Sequence, residues 1–122
     1  MTTEIADQAL EHYRRHADVC RVLTDPKRLM LLAALRAGER SVGELAAAIG
    51  IALPNASQHL AVLRAVGLVA SRRIGTTVVY WLAEPEIADA CDIISGIVDR
   101  RLRTVDRPVA SFAVPALNPT LE

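Results

Sequence analysis

The chain has 122 residues, which is the length of one domain with a modest core. Apolar residues make up 52% of it, so we expect a globular protein and not an intrinsically disordered one. No apolar stretch approaches the roughly 20 residues of a membrane helix, and the N-terminus lacks the apolar segment of a secretion signal. We therefore expect a cytoplasmic protein with no membrane partner. The net charge is zero, but residues 21–82 hold eight Lys and Arg against three acidic residues, net +5. Because phosphates respond to local charge, this basic centre leaves nucleic acid open as a partner.

Two helices are predicted in the first third of the chain. The first covers about residues 3–23, because apolar residues recur there every three or four positions. The second begins at Asp25-Pro26, since Asp caps free N–H groups and proline suits the first helical position, and it ends at Gly38. Its predicted inner face consists of Leu29, Leu32 and Leu35.

Two further helices follow, with a tight turn between them. Ser41 and Glu44 have the spacing of a capping box, which predicts a short helix that ends at Gly50. The next helix covers about residues 53–66, and its predicted inward residues are Ala56, Leu60 and Leu63. Two helices joined by a short, glycine-containing turn are typical of a helix-turn-helix unit.

A hairpin and a last helix complete the predicted domain, which covers residues 1–106. Residues 68–73 and 77–82 are rich in β-branched and aromatic residues and flank Ile74-Gly75-Thr76, which predicts two paired strands. The last helix runs from Pro85 to about Arg103. Its predicted inward face consists of Ile87, Ala90, Cys91, Ile94, Ile97 and Val98. The tail, residues 107–122, contains three prolines and cannot be one regular helix, so it is either disordered or wrapped on a partner chain.

The helix over residues 53–66 has the polar surface expected of a helix that enters the major groove of DNA. Asn and Gln can each make two hydrogen bonds to adenine, and Ser suits several bases. The outward polar residues of this helix are Asn55, Ser57, Gln58 and His59. Candidates for contacts to the DNA backbone and to the minor groove near the hairpin tip are Arg64, Arg72, Arg73 and Thr76.

Residues 22–86 resemble the ArsR/SmtB family of metal- and stress-responsive repressors. The matching motifs are Asp25-Pro-x-Arg28, Ser57-Gln-His-Leu60 followed by Leu63-Arg64, Gly67-Leu-Val69 and the Gly75 hairpin. The resemblance implies a mainly α fold with a small β-hairpin: a winged helix-turn-helix with four helices, the hairpin and a fifth helix. It also implies a homodimer formed through the terminal helices, which binds double-stranded DNA at an inverted-repeat operator and is released by an inducer. The chain departs from the family at Ala52-Leu53-Pro54, where a serine cap and a glutamine are common.

Two metal sites associated with the family are not matched in this chain. The helix after Ser41 has no thiol, and the ligand positions of the last helix hold Glu84, Glu86, Ile97 and Arg100, of which Ile cannot ligate and Arg repels a cation. The remaining candidates are Cys20 and Cys91, with His16 and His12 spaced four residues apart on the side of the helix that carries Cys20. Three alternatives stay open: a soft metal ion held by Cys20, Cys91 and His16, a redox pair of the two thiols, or inert core cysteines without a cofactor.

Other classes of protein remain as alternatives to a DNA-binding repressor. We find no phosphate-binding loop, HExxH motif or closely spaced nucleophile and base, so we expect no enzyme. A winged helix can also serve as a protein-binding module without DNA, since a fold does not determine a function. The zero net charge and Trp81 on the second hairpin strand motivate that alternative.

Overall fold

The computed structural model describes the backbone of residues 2–105 and the side chains of residues 2–102. The helices are α1 (Thr2–Val22), α2 (Pro26–Ala34), α3 (Val42–Ile49), α4 (Leu53–Ala65) and α5 (Glu86–Val105), and a short 3₁₀ helix (Leu35–Ala37) extends α2 as far as Gly38. The strands are β1 (Arg40–Ser41), β2 (Val69–Ile74) and β3 (Thr77–Leu82). This is the predicted mainly α architecture with one addition, strand β1. The proline-bearing tail, residues 107–122, lies outside the described residues.

Helices α2 and α3 begin at the residues predicted to cap them. Asp25 Oδ1 accepts a hydrogen bond from the Lys27 backbone N–H at 2.7 Å at the start of α2. Both bonds of the capping box are present at α3: the Glu44 N–H donates to Ser41 Oγ at 3.1 Å, and the Ser41 N–H donates to Glu44 Oε1 at 2.9 Å. Gly50 ends α3 with a φ of 72°, a left-handed conformation that glycine adopts without steric cost.

The strands form a three-stranded antiparallel sheet in the order β1-β3-β2. Ile74 pairs with Thr77, so the hairpin closes through the two residues Gly75-Thr76 and is tighter than the predicted three-residue loop. Leu68 was predicted in β2 but lies before it, because its N–H bonds to the carbonyl of Leu63 and completes the end of α4. Strand β1 was not predicted, since a two-residue strand has no alternating pattern.

The core lies where α2, α3 and α4 pack together and against the sheet. Its fully buried large side chains are Leu31, Leu32, Leu35, Leu45, Leu60 and Leu63. The prediction that Leu29 lines the inner face of α2 is wrong: Leu29 is 37% exposed, and Leu31 is fully buried. The packed part of α2 is its C-terminal half, residues 31–34, together with Leu35 of the 3₁₀ helix, whereas the first turn of α2 lies near the surface.

The terminal helices contribute little to the core of one chain. Helix α1 has no buried residue, and of the inward face predicted for α5 only Ile87 and Cys91 pack against the core. Ile94 is 60% exposed, so the prediction of a fully inward face does not hold within a single chain. An ion pair between Arg36 and Asp92 ties α5 to the 3₁₀ helix that follows α2. Seven of the ten exposed large apolar residues of the described part lie on the terminal helices: Ile5, Leu10, Tyr13, Ile93, Ile94, Ile97 and Val98.

Candidate nucleic-acid interface

Helices α3 and α4 meet at the angle of a helix-turn-helix unit. The chain bends by 108° between them, across residues 50–52. Helix-turn-helix pairs typically cross at about 90–120°, which lets the first helix brace the second against the domain. In the described part of the chain, no single helix is long and apolar enough to span a membrane; only this bent pair, taken together, meets the length and composition criteria.

Helix α4 buries one face completely and presents the opposite face to solvent. Ala56, Leu60 and Leu63 are fully buried. At about 100° per residue, Gln58 projects from the opposite side, with Asn55 and Ser57 on its two flanks. These three polar side chains are exposed, as predicted, while His59 is half-buried at the edge of the core. Three of the four residues predicted to face outward are therefore exposed on α4, whereas the prediction for His59 is wrong because it lies beside the buried face of the helix.

The beginning of α4 has free backbone donors. Its N-cap residue Ala52 makes no side-chain hydrogen bond to the helix, and Pro54 in the first turn has no N–H. The first-turn N–H groups of an uncapped helix carry a partial positive charge and suit a phosphate oxygen. The absence of a serine cap at this position thus leaves the start of α4 open to the DNA backbone.

The hairpin places its two arginines in different surroundings. Arg73 and Thr76 are exposed toward the hairpin tip, and Arg73 makes no ion pair within the described part of the chain. Arg72 is held by Glu39: its Nη1 lies 2.6 Å from Oε2 and its Nη2 2.9 Å from Oε1. The Arg72 guanidinium also lies 5.3 Å from the ring centroid of Trp81. Arg72 is therefore already paired in this structure, whereas Arg73 is available for a phosphate.

Two contacts of this surface, both with Arg72, could not be predicted from the sequence. Glu39 was not a candidate, because its partner Arg72 lies 33 residues away and only the pairing of β1 with β3 brings the two together. Trp81, which motivated the protein-binding alternative, is half-buried and lies against Arg72. Arg64 is exposed in the last turn of α4, as expected for a phosphate contact.

The predicted thiol site is not assembled within one chain. Cys20 is exposed near the end of α1, and Cys91 is a half-buried thiol on α5; both are free. Among the described residues, no three His, Cys, Asp or Glu side chains come close enough to hold a metal ion, so Cys20, Cys91 and His16 do not form such a group. The His16 ring instead stacks on that of Tyr13, with their centroids 6.3 Å apart. A site shared between two chains stays a prediction.

Burial weakens the acidity of one of these thiols. The pKa of Cys91 is raised above its ordinary value because burial disfavours the thiolate, although the nearby Arg36 guanidinium acts in the opposite direction. The thiolate is the form that binds soft metals and reacts with oxidants. Burial thus disfavours the form of Cys91 that would bind a soft metal or react with an oxidant.

The bent helix pair, the exposed face of α4 and the adjoining hairpin define the winged helix-turn-helix class of proteins. Residues 23–72 match the family described as "Helix-turn-helix domain". An uncharacterized HTH-type transcriptional regulator of Mycobacterium tuberculosis is 37% identical over 91 residues, which cover 74% of this chain and 80% of that protein. The biofilm growth-associated repressor of Xylella fastidiosa is 39% identical over 97 residues, which cover 72% and 85%.

Solved structures agree with these relatives. The solution structure of a homodimeric winged helix-turn-helix DNA-binding domain from Mycobacterium bovis, described as a possible ArsR-family transcriptional regulator, superposes with a TM-score of 0.73. It is 33% identical in sequence, and the match covers 80% of this chain and 91% of that one. The chain belongs to the ArsR family of winged helix-turn-helix transcriptional regulators.

Proposed function

We propose that this protein is a transcriptional repressor that binds an inverted-repeat operator as a homodimer, with α4 as the recognition helix. The observation that carries the proposal is the two-sided character of α4, where Gln58 projects from the side opposite a fully buried apolar face. A rigid helix with one face anchored in the core can enter the major groove without rearranging the domain. A regulator of this kind acts where the DNA is, so we place it in the cytoplasm and assign it no enzymatic activity.

The geometry supports a division of labour on the DNA. Gln58 and Asn55 are suited to the paired donor and acceptor of adenine in the major groove. The free N–H groups at the start of α4, together with Arg64, suit phosphates on either side of that groove. The exposed Arg73 and the turn at Gly75-Thr76 lie at the hairpin, where they suit the neighbouring backbone and minor groove.

The homodimer follows from the surfaces that one chain leaves uncovered. Both α1 and α5 carry large apolar side chains that are exposed in the described part of the chain, among them Leu10 and Ile94. Packing these helices against those of a second copy removes that apolar area from water. The two-fold axis then places one α4 helix in each half of an inverted repeat.

Titration of a fluorescent duplex tests this proposal. With the DNA upstream of the protein's own gene and a shuffled duplex of equal composition, Gln58→Ala should weaken operator binding by about 1–3 kcal/mol and leave the shuffled duplex nearly unaffected. Gln8→Ala removes the same type of side chain from α1, on the side of that helix opposite Leu10 and Tyr13, and serves as the matched control. Equal binding of both duplexes by the wild type, without salt dependence, would contradict the proposal and favour a protein-binding module.

Three alternatives remain for the signal that releases the DNA: a metal ion, a redox change of the thiols, or a signal that does not involve the thiols. The half-burial of Cys91 and its raised pKa support the inert alternative for this residue within one chain. Cys20 is exposed, and α1 belongs to the proposed dimer surface, so any sensing through both thiols requires the second chain.

A further inference from the structure

Three side chains from three strands or their ends meet on the outer face of the small sheet. Trp81 belongs to the central strand β3 and pairs with Ala70 of β2. On the β1 side, Arg40 pairs with Tyr80, so the preceding residue, Glu39, comes beside Trp81 at the other edge of the sheet. Arg72 shares the face of Trp81, and its guanidinium crosses that ring and makes two bonds to Glu39, of 2.6 and 2.9 Å.

Glu39 differs from the other acidic residues of the basic central segment. Residues 21–82 contain only three acidic side chains. Asp25 accepts the cap hydrogen bond of α2 and Glu44 completes the capping box of α3, so both have structural roles. Glu39 caps no helix. It is instead paired with an arginine of the hairpin, the element that carries candidate DNA-backbone contacts.

The ion pair is exposed enough for a DNA phosphate to take the place of the Glu39 carboxylate beside Arg72. The Arg72 and Glu39 side chains are 50% and 41% exposed, and ion pairs at such exposure are weak because water and salt screen them. A phosphate offers a guanidinium the same two-oxygen geometry as a carboxylate. The ring face of Trp81 attracts the Arg72 guanidinium. This attraction acts whether the guanidinium is paired with a carboxylate or with a phosphate.

We propose that Glu39 limits the DNA affinity of this protein by competing with DNA phosphates for Arg72. In the free protein Glu39 neutralises the guanidinium, and on DNA Glu39 and a phosphate share it, so the wild type makes less than one full phosphate contact through Arg72. The inference rests on the proposed function and concerns the strength of binding, not the choice of sequence. A regulator must dissociate from its operator, and a lower DNA affinity makes that dissociation easier. Because Arg72 contacts phosphates and not bases in this proposal, Glu39 weakens binding to operator and non-operator DNA alike.

Salt-series titrations of four proteins test the proposal: the wild type, Glu39→Gln, Arg72→Gln and the double variant. Freeing Arg72 completes one phosphate contact, so Glu39→Gln should bind both duplexes about 3- to 8-fold more tightly near 0.1 M salt, with a log–log salt slope steeper by up to about 0.9. The double variant should return to the affinity of Arg72→Gln. Glu11→Gln is the matched control, because it removes the acid of another exposed ion pair, with Arg15 on α1, and should leave the slope unchanged.

Trp81 supplies a second measurement, because it is the only tryptophan of the chain. If Arg72 turns toward a phosphate, addition of DNA changes the emission of Trp81 in the wild type and changes it far less in Arg72→Gln. The inference is overturned if Glu39→Gln binds with the wild-type slope and affinity or more weakly, since the pair is then only a brace of the hairpin. A wild type that binds neither duplex in a salt-dependent way overturns the proposed function itself, which is a different result.

Discussion

Cys91 and Asp92 connect α5 to the rest of the domain. Helix α5 carries much of the exposed apolar surface. Asp92 pairs with Arg36 of the 3₁₀ helix, and this hydrogen-bonded ion pair lowers the pKa of the Asp92 carboxyl. Cys91, one residue before it, packs against the core, and burial raises the pKa of its thiol. The two neighbours thus respond to pH in opposite ranges, the carboxyl in acid and the thiol in base.

The raised pKa of Cys91 predicts a loss of stability in base. The folded state favours the neutral thiol, so its contribution is fully present below the ordinary pKa of 9.0 and is lost as the pH rises through the higher pKa of the folded protein. Between about pH 8 and pH 10.5, the free energy of unfolding should fall more steeply in the wild type than in Cys91→Ala. Urea unfolding at one fixed protein concentration measures this difference.

Cys20→Ala is the control for that experiment, because it removes a thiol that is exposed in the described structure. Its unfolding free energy should follow the pH dependence of the wild type. Parallel curves for the wild type and Cys91→Ala would show that burial does not act on this thiol.

The helix-turn-helix elements contain one capped and one uncapped helix start. Ser41 and Glu44 satisfy the first donors of α3 through both bonds of the capping box, whereas Ala52 leaves those of α4 unpaired. Removal of the cap of α3 should therefore destabilise the protein, and addition of a cap to α4 should stabilise it. We expect Ser41→Ala to lower the free energy of unfolding by about 1 kcal/mol, and Ala52→Ser to raise it by about 0.5–1 kcal/mol.

Ser57→Ala provides the matched control for the cap variants, since Ser57 lies on the exposed surface of α4 and is not a cap. It should change the free energy of unfolding by less than about 0.5 kcal/mol in chemical denaturation. If Ser41→Ala is as mild as Ser57→Ala, the capping box does not contribute to the stability of α3.

Most elements could be predicted from the sequence because their signals are local. Asp25 and Ser41 mark helix starts within three or four residues, and the spacing of Ala56, Leu60 and Leu63 identifies the buried face of α4 without knowledge of its partners. The outward position of Gln58 follows from that spacing. These local patterns were sufficient for the main helices and the hairpin and for the exposed position of Gln58.

The features that were missed depend on contacts between distant parts of the chain. Strand β1 exists only because Arg40 and Ser41 meet β3, and Glu39 reaches Arg72 only through that pairing. Periodicity also could not separate Leu31 from Leu29, because both suit a short helix and only the neighbouring helices decide which is covered. Likewise, the apolar pattern of α5 could not show whether the same chain buries that face, and in this structure Ile94, Ile97 and Val98 are exposed.

One chain carries two surfaces with different partners. The exposed face of α4 is suited to DNA, and the apolar faces of α1 and α5 are suited to a second copy of the chain. The dimer is required for operator binding, because one α4 helix contacts only half of an inverted repeat. Ile94 is 60% exposed, so Ile94→Glu should leave the fold of the chain intact while it disfavours association.

A hydroxyl-radical footprint on the upstream DNA, made with the wild type and with Ile94→Glu at equal concentration, tests these claims together. We predict two protected patches whose centres lie about one helical turn, roughly 10–10.5 base pairs, or a multiple of it apart. Both patches should disappear together in Ile94→Glu, while its circular dichroism remains that of the wild type. A single protected patch, or an Ile94→Glu protein that is monomeric and still protects both half-sites, would contradict the account.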